Sequence, residues 1–291
     1  LVQENVKNGV FIKSEGAIIF PGEKFGLHNR VFINSLGLPT YEAKELGLAP
    51  RKYNDFAYDR SIIVTGNEIA EYFKVLLAAL GKIRPELAQK TKHVAHGMVR
   101  MPGGKISSRL GKVLSGEWLL DEAKSRILKE FKDVSKAAAE QIAVGAVKYA
   151  LLKGNIGQDI NFSFEESISL EGNSGPYLQY THARCLSVLE KAEEEGGSAD
   201  FEGIAEEERQ VLGTLGHFEE TVADAASALA PNIVANYLYL LAQKFNTFYN
   251  NLPILKASEG ERARRLFLTK ATASFLKNGL YLLGISAPEK M

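Results

Sequence analysis

The sequence is poor in cysteine and has no long apolar run. Of its 291 residues only Cys185 is a cysteine, which excludes an internal disulfide as well as zinc knuckles and iron–sulfur clusters, since these need several cysteines. No apolar run reaches the roughly 18–20 residues of a membrane-spanning helix, and the first residues lack the basic and apolar regions of a signal peptide. We therefore expect a protein of a reducing, cytoplasmic compartment, without a membrane partner or a protein-bound metal.

A surplus of charge of either sign is also absent. The 35 Lys and Arg residues balance 35 Asp and Glu residues, and such a balance at first argues against a nucleic-acid partner. The charges are unevenly placed, however: residues 1–114 carry a net +7, 190–224 a net −10 and 225–291 a net +5. Because affinity for phosphates depends on where cations lie, we expect a nucleic acid on the two basic segments and the acidic segment directed away from it.

Secondary-structure patterns divide the chain into two parts. In the first part, β-prone runs at 61–66 and 93–100 flank a helical pattern at 69–80 that Gly81 is expected to end, which is α/β organisation. From residue 117 onward the apolar spacing is helical. The six helical patterns span 118–131, 137–152, 176–195, 206–229, 233–250 and 262–283. The sequence thus predicts an α/β domain over 1–114 followed by an all-α domain over 115–291.

A loop rich in glycine, hydroxyl groups and cations follows the last β-prone run. Its glycines allow close backbone approach, and its cations and hydroxyls suit a polyphosphate. The residues concerned are Gly103, Gly104, Lys105, Ser107, Ser108 and Arg109. The loop is not a P-loop, because Ile106 follows the lysine where Ser or Thr is required. A solvated basic turn is the alternative interpretation.

Three runs in this sequence resemble one enzyme family. Lys105-Ile-Ser-Ser-Arg109 resembles the second signature of class I aminoacyl-tRNA synthetases, the Lys-Met-Ser-Lys-Ser loop. Gly172-Asn-Ser-Gly-Pro-Tyr-Leu-Gln-Tyr-Thr-His-Ala-Arg184 and Leu283-Gly-Ile-Ser-Ala-Pro-Glu-Lys-Met291 resemble arginyl-tRNA synthetases specifically. The resemblance implies the later part of a Rossmann-like catalytic domain followed by a helical-bundle anticodon-binding domain.

The resemblance also implies substrates and site residues. ATP with Mg²⁺, arginine and tRNA-Arg are the implied ligands, and we expect a monomer. The loop residues implied at the ATP phosphates are Lys105, Ser107, Ser108 and Arg109. The strand residues implied near adenine, for which sheet core is the alternative, are Gly97, Met98 and Val99.

A tyrosine and a carboxylate on one predicted helix are implied to bind the substrate arginine. Tyr41 and Glu45 stand at i and i+4, on one helix face, and a carboxylate suits the guanidinium fork. The family usually has Asp where Glu45 stands and commonly a Gln near Ile69. A surface helix with an incidental tyrosine is the alternative interpretation.

The family's first signature, His-x-Gly-His, does not occur around any of the five histidines. In the family this element steadies ATP from the other side. We therefore expect that the chain alone does not activate arginine, and that the sequence is a fragment shortened at its front.

A second candidate site lies in the helical part. Tyr177, Tyr180 and Arg184 fall at i, i+3 and i+7 on one helix face, where flat rings and a cation suit the splayed bases of an anticodon loop. The resemblance adds Tyr249 and Met291 to this tRNA-binding set. An aromatic stripe at helical spacing is also typical of a packed core.

Two functions of different class remain open. The first is an arginine–tRNA ligase, and the second is a non-catalytic tRNA-binding or scaffolding protein derived from a synthetase. A cysteinyl-type class I synthetase is a third possibility, but the Gly-Pro-Tyr-Leu-Gln-Tyr run and the lone cysteine argue against it.

Overall fold

The computed structural model describes residues 1–101, 115–131, 134–192 and 198–291. The chain forms two compact units. The front unit consists of Leu1–Met98 with Ile156–Gln158, and the helical unit of Val99–Asn155 with Asp159–Met291. The predicted domain boundary at 114/115 follows directly after undescribed residues and stays a prediction.

The front unit begins with a small antiparallel sheet. Its three strands, in the order β1-β2-β3, are β1 (Ile12–Ser14), β2 (Ala17–Phe20) and β3 (Arg30–Ile33). Phe11, Phe20 and Phe32 are fully buried beneath it, and the ring centroids of Phe11 and Phe32 are 4.9 Å apart. These aromatic contacts form the core of the first part of the unit.

A parallel strand pair follows, joined by helices. The elements in chain order are α1 (Tyr41–Asp55), β4 (Ser61–Gly66), α2 (Ala70–Ile83), α3 (Pro85–Lys90) and β5 (Thr91–His96). β4 and β5 pair in parallel from Ser61 opposite Thr91 to Gly66 opposite His96. The predicted strand–helix–strand order is confirmed. The expected helix end at Gly81 is wrong, because α2 continues to Ile83. The helix ends before Arg84, which precedes Pro85, and a residue before proline is disfavoured in the helical region.

The helical unit contains one short parallel strand pair and eight helices among its described residues. The strands are β6 (Val99–Arg100) and β7 (Ile160–Asn161). The helices are α4 (Gly116–Glu130), α5 (Lys136–Leu152), α6 (Phe164–Ile168), α7 (Gly175–Glu190), α8 (Glu206–Gly216), α9 (Phe218–Ala228), α10 (Pro231–Asn251) and α11 (Glu259–Leu282). The core between α7, α10 and α11 contains Leu178, Leu238, Leu241 and Leu276, all fully buried.

Serine side chains fix where four of these helices begin. In each case the hydroxyl oxygen accepts a hydrogen bond from a backbone N–H three residues on, which satisfies one of the unpaired donors of the first turn. The capping residues are Ser115, Ser135, Ser163 and Ser174.

The predicted single helix over 206–229 is wrong, because two helices cover this range. His217 lies between α8 and α9 with φ −93° and ψ 4°, outside helical geometry. The carbonyl of Thr214 accepts hydrogen bonds from the Tyr237 hydroxyl at 3.0 Å and from the backbone N–H of His217. These bonds satisfy the end of α8 and allow the chain to turn.

A buried ion cluster joins the acidic segment to the basic one. Glu208 of α8 is fully buried and lies between Arg264 and Arg265 of α11, with nitrogen–oxygen distances of 3.2 and 2.8 Å. The sequence predicts a nucleic acid on the basic segment 225–291, but these two arginines are buried and paired with Glu208. Their charge is used inside the fold and is not offered to a phosphate backbone.

The observed architecture confirms the predicted fold class, an α/β part followed by a helical part. Among the residues that the structure describes, none of the helices combines the length and apolar character needed to cross a membrane.

Candidate functional site

An open cavity of about 730 Å³ lies in the helical unit. One face of α7 forms its first wall through Tyr180 and Arg184, and the end of α10 with the loop that follows contributes Tyr249 and residues 252–256. Residues 289–291 complete the lining. We call this space the α7–α10 cavity.

Arg184 is the central side chain of this cavity. Its guanidinium carbon lies 4.7 Å from the ring centroid of Tyr180 and 4.9 Å from that of Tyr249, so both rings make cation–π contacts with one cation. An Nη1–H of Arg184 also donates to Oδ1 of Asn246. The planar guanidinium is thus fixed between two aromatic rings, and Tyr249 remains 38% exposed.

Asn246 connects this arrangement to Tyr177. The Asn246 side-chain amide donates to the Tyr177 hydroxyl at 3.0 Å and to the Thr181 hydroxyl at 2.9 Å. Tyr177 does not line the cavity, and its ring packs edge-on against Tyr239. Burial raises the pKa of Tyr177. Tyr177 is therefore connected to the cavity through Asn246, which also accepts a hydrogen bond from Arg184.

Cations outnumber anions around the cavity. Its wall contains four cationic side chains and two carboxylate side chains. The cations are Arg184, Lys191, Lys256 and Lys290, and the carboxylates are Glu190 and Glu289. Nζ of Lys290 lies 3.6 Å from Glu190, so the acidic segment that begins at Glu190 reaches the cavity. The surplus of cations together with exposed rings is what a single-stranded polyanion requires.

A second cavity of about 620 Å³ shares Tyr180, Lys290 and Met291 with the first. Its remaining lining is largely apolar and consists of Phe131, Val134, Ser135, Ala138, Ile142 and Leu170. Tyr180 and Met291 therefore contribute to the lining of both cavities.

The predicted arginine-binding pair lies on α1 in the front unit. Tyr41 is its first residue and is 80% exposed, with Nζ of Lys44 5.5 Å from its ring centroid. Glu45 is half-buried, and its carboxylate has no hydrogen-bond or ion-pair partner among the described residues. It is therefore available for an external cation.

The neighbouring carboxylate is already paired. Glu42 is buried, and its Oε1 lies 3.2 Å from Nη1 of Arg30. The Arg30 guanidinium in turn lies 5.8 Å from the ring centroid of Tyr72. Burial, followed by the charges of Glu42 and Glu45, raises the pKa of Tyr72 to about 12. The phenol therefore stays protonated at neutral pH and can donate a hydrogen bond.

The residues predicted near adenine follow the carboxyl end of β5. Gly97 is buried, and its carbonyl lies 2.8 Å from Nδ1 of His96. Met98 is exposed and ends the front unit, whereas Val99 begins β6 of the helical unit. The carboxyl end of a parallel strand is where ligands bind in α/β sheets.

The predicted phosphate-binding residues Lys105, Ser107, Ser108 and Arg109 lie in 102–114, outside the described residues. Within the described ranges, no three His, Cys, Asp or Glu side chains are grouped so that they could hold a metal ion.

Comparison with known families relates both halves of the chain to one kind of enzyme. Residues 1–164 match the family described as "tRNA synthetases class I (R), catalytic domain", and residues 178–291 match the "DALR anticodon binding domain". The chain belongs to the arginyl-tRNA synthetase family. The residues of the α7–α10 cavity all lie within the anticodon-binding match.

Curated relatives of the chain carry the name arginine–tRNA ligase. The protein of Porphyromonas gingivalis is 31% identical over 308 residues and that of Clostridium kluyveri 33% over 302, each covering the whole chain. The protein of Ignicoccus hospitalis is 36% identical and covers 90% of the chain. The chain spans about half the length of these relatives, at 51%, 53% and 43%.

Solved arginyl-tRNA synthetases share the fold. The Thermus thermophilus enzyme matches 96% of this chain and 55% of its own with a TM-score of 0.82 and 29% identity. The Plasmodium falciparum enzyme matches the whole chain and 52% of its own with a TM-score of 0.77, at 22% identity.

The structure brings together four of the five residues predicted to bind tRNA: Tyr180, Arg184, Tyr249 and Met291. Sequence reasoning missed Asn246, Tyr72 and the Arg30–Glu42 pair. For Asn246 a signal existed, since an amide stands inside the apolar run Phe245-Asn-Thr-Phe-Tyr249. For Arg30 and Glu42 none existed, because 12 residues and a turn separate them.

Proposed function

We propose that the protein is an arginine–tRNA ligase, which activates arginine with ATP and transfers it to tRNA-Arg. The α7–α10 cavity carries this proposal for the tRNA: a cation held between two aromatic rings, inside the anticodon-binding match and with a surplus of positive charge. Translation implies the cytoplasm as the compartment. The monomeric state and the domain boundary stay predictions.

In the proposed reaction the front unit holds the small substrates. Glu45 accepts hydrogen bonds from the arginine guanidinium, because its neighbour Glu42 is occupied by Arg30. Tyr41 covers the same side chain with its exposed ring, and the Tyr72 phenol donates a hydrogen bond nearby. Residues 97–99 contact the adenine of ATP. The ATP phosphates are bound by Lys105, Ser107, Ser108 and Arg109. Mg²⁺ enters with ATP as part of the substrate.

Anticodon binding is tested by replacing one ring of the cavity. Tyr249→Ala should weaken binding of tRNA-Arg by roughly 1–3 kcal/mol, the usual cost of losing one base stack. Tyr177→Ala should have a similar effect, because Asn246 then loses a partner that helps to orient Arg184. Affinity is measured by filter binding, with the fold checked by circular dichroism.

The matched control is Tyr281→Ala. Tyr281 is a tyrosine of α11 that is 80% exposed and does not line the α7–α10 cavity, so its replacement should leave affinity unchanged. An equal loss in both variants, or an unchanged affinity in Tyr249→Ala, would contradict the anticodon role.

A second expectation concerns the isolated chain. We propose that these 291 residues bind tRNA but do not form an adenylate, because they contain no His-x-Gly-His run to hold ATP from the other side. ATP–pyrophosphate exchange with arginine should stay at the level of a buffer blank. If exchange exceeded that level and disappeared in Lys105→Ala, the 291 residues would be sufficient to form the adenylate. A non-catalytic tRNA-binding protein derived from a synthetase remains the alternative.

A further inference from the structure

Side chains of the helical unit hold the segment that follows α11, residues 284–291, which we call the closing segment. Three donors bind carbonyl groups at every second residue. Lys148 donates to the carbonyl of Gly284, Gln179 to that of Ser286 at 2.7 Å, and His182 Nδ1 lies 3.1 Å from that of Pro288. Because a carbonyl only accepts, Nδ1 of His182 carries the proton.

Gln179 is an unusual residue for the place that it occupies. It is fully buried, and its Oε1 has no hydrogen-bond partner among the described residues. Its Nε2 donates to Ser286 and also to the carbonyl of Gln141 at 3.2 Å. A buried acceptor without a partner is costly, so what this amide contributes is the two hydrogen bonds donated by Nε2, one of them to the closing segment.

Room for this amide is provided by a glycine. A Cβ on Gly145 of α5 would lie 2.7 Å from both Nε2 and Oε1 of Gln179, closer than real contacts allow. Glycine at position 145 therefore leaves space for the Gln179 amide, which donates to Gln141 of α5 and to Ser286 of the closing segment.

The closing segment in turn completes the α7–α10 cavity. Lys290 and Met291 lie in its wall, and Lys290 pairs with Glu190 at the end of α7. Helix α7 thus supplies Tyr180 and Arg184 directly, and through Gln179 and His182 it also holds the segment that contributes Lys290 and Met291 to the lining. The side chains of Gln179 and His182 are buried and do not line the cavity.

We propose that Gln179 and His182 are positioning residues for tRNA, which hold the closing segment so that Lys290 and Met291 face the bound anticodon loop. The proposal rests on the proposed tRNA binding. Neither residue touches RNA, and both act through the carbonyls of Ser286 and Pro288.

The first experiment does not involve RNA. Gln179→Met keeps the side-chain length and removes the donor, and Gln243→Met is the matched control, since Gln243 is exposed on α10. Release of Met291 and Lys290 by a carboxypeptidase is followed by mass spectrometry, well below the unfolding temperature. Release should be about tenfold faster in Gln179→Met, as expected if the held state loses about 1.4 kcal/mol. Unchanged release would overturn the proposal.

The second experiment measures coupling to RNA. In the 291-residue chain, Gln179→Met and His182→Leu should each weaken tRNA-Arg binding about tenfold, which is about 1.4 kcal/mol. His182→Asn, which keeps a donor near Nδ1, should restore most of the affinity. In a chain ending at Pro288 the same substitutions should change affinity less than about twofold, because the residues that they position are gone.

The outcomes separate the two proposals. Equal losses in the full and shortened chains would overturn the positioning role, because the substitutions would then act on the fold in general. Faster release of Met291 with unchanged RNA affinity would overturn it as well. If the unmodified chain bound no tRNA, the proposed function itself would fail, together with the positioning role that rests on it.

Discussion

Replacing Glu208 by glutamine should lower the free energy of unfolding by about 3–5 kcal/mol, the usual loss when one partner of a buried ion cluster is removed. Glutamine has nearly the same shape, so packing is preserved while the negative charge is lost. Arg264 and Arg265, both almost fully buried, would then be left as two cations without a counter-charge. Urea unfolding followed by circular dichroism measures the change.

The geometry explains why the loss should be large. Oε1 of Glu208 accepts from Nε of both arginines, and Oε2 accepts from Nη2 of Arg264 and from the backbone N–H of Ala205. The carboxylate therefore also caps the first turn of α8. Arg264 and Arg265 extend the cluster to the backbone carbonyls of Asp200 and Pro253.

The matched control is Glu206→Gln on the same helix. Glu206 pairs with Arg209 at 3.7 Å, but both side chains are about two-thirds exposed, and exposed pairs contribute roughly 0–1 kcal/mol. Similar effects of the two substitutions would contradict a special role for the buried cluster.

The cluster also predicts a dependence on pH. Burial by itself would raise the pKa of Glu208, but hydrogen bonds from Arg264, Ala205 and Arg265 outweigh it and lower the pKa. A carboxylate whose folded pKa is lowered stabilises the fold above its unfolded pKa and loses this contribution as the pH falls through the folded value. The difference between the unmodified chain and Glu208→Gln should be complete at pH 7 and shrink below about pH 4.3, the ordinary glutamate pKa.

Arg184→Lys should weaken tRNA-Arg binding by about 2 kcal/mol or more, as for arginines at the centre of an interface. Lysine keeps the charge but has no planar fork. It cannot lie between the rings of Tyr180 and Tyr249 and at the same time donate to Asn246. The dissociation constant, measured by filter binding at several salt concentrations, should rise about thirtyfold.

The salt dependence identifies the cause of the loss. Arg184→Lys keeps the cation and should leave the slope of log affinity against log salt unchanged, whereas Arg184→Met should reduce the slope by about 1. Arg209→Lys, an exposed arginine on α8, is the control and should change neither quantity. Full affinity in Arg184→Lys would show that the charge alone matters and that the two rings do not orient it.

Much of the helical unit follows from local sequence. The apolar spacing located the longer helices but not the short α6, since a 3.6-residue period is visible without knowing what packs against it. The break at His217 was not visible, because the carbonyl of Thr214 at the end of α8 accepts a hydrogen bond from Tyr237, which lies 23 residues after Thr214. Local patterns predict elements, and contacts between distant residues decide where some of them stop.

The candidate site shows the same division. Periodicity placed Tyr177, Tyr180 and Arg184 on one helix face, yet the structure separates them, with two in the cavity wall and Tyr177 behind Asn246. At 3.6 residues per turn, the side chains at i and i+3 differ in direction by about 60° around the helix axis. Whether a side chain points into a cavity or into the core depends on the neighbouring helix, here α10.

Charge gives the clearest contrast between sequence and structure. The sequence by itself determined the net charge, which is zero in total and divided into two basic segments and one acidic segment. It also determined the order of an α/β part and a helical part. Only the tertiary structure decided how those charges are used, because the fold buries Arg264 and Arg265 against Glu208 and leaves Arg184 open between two rings. A charge costs free energy when it leaves water, so its role is set by the partners that the fold brings to it. Glu208 lies 56 residues from Arg264, and Asn246 lies 62 residues from Arg184.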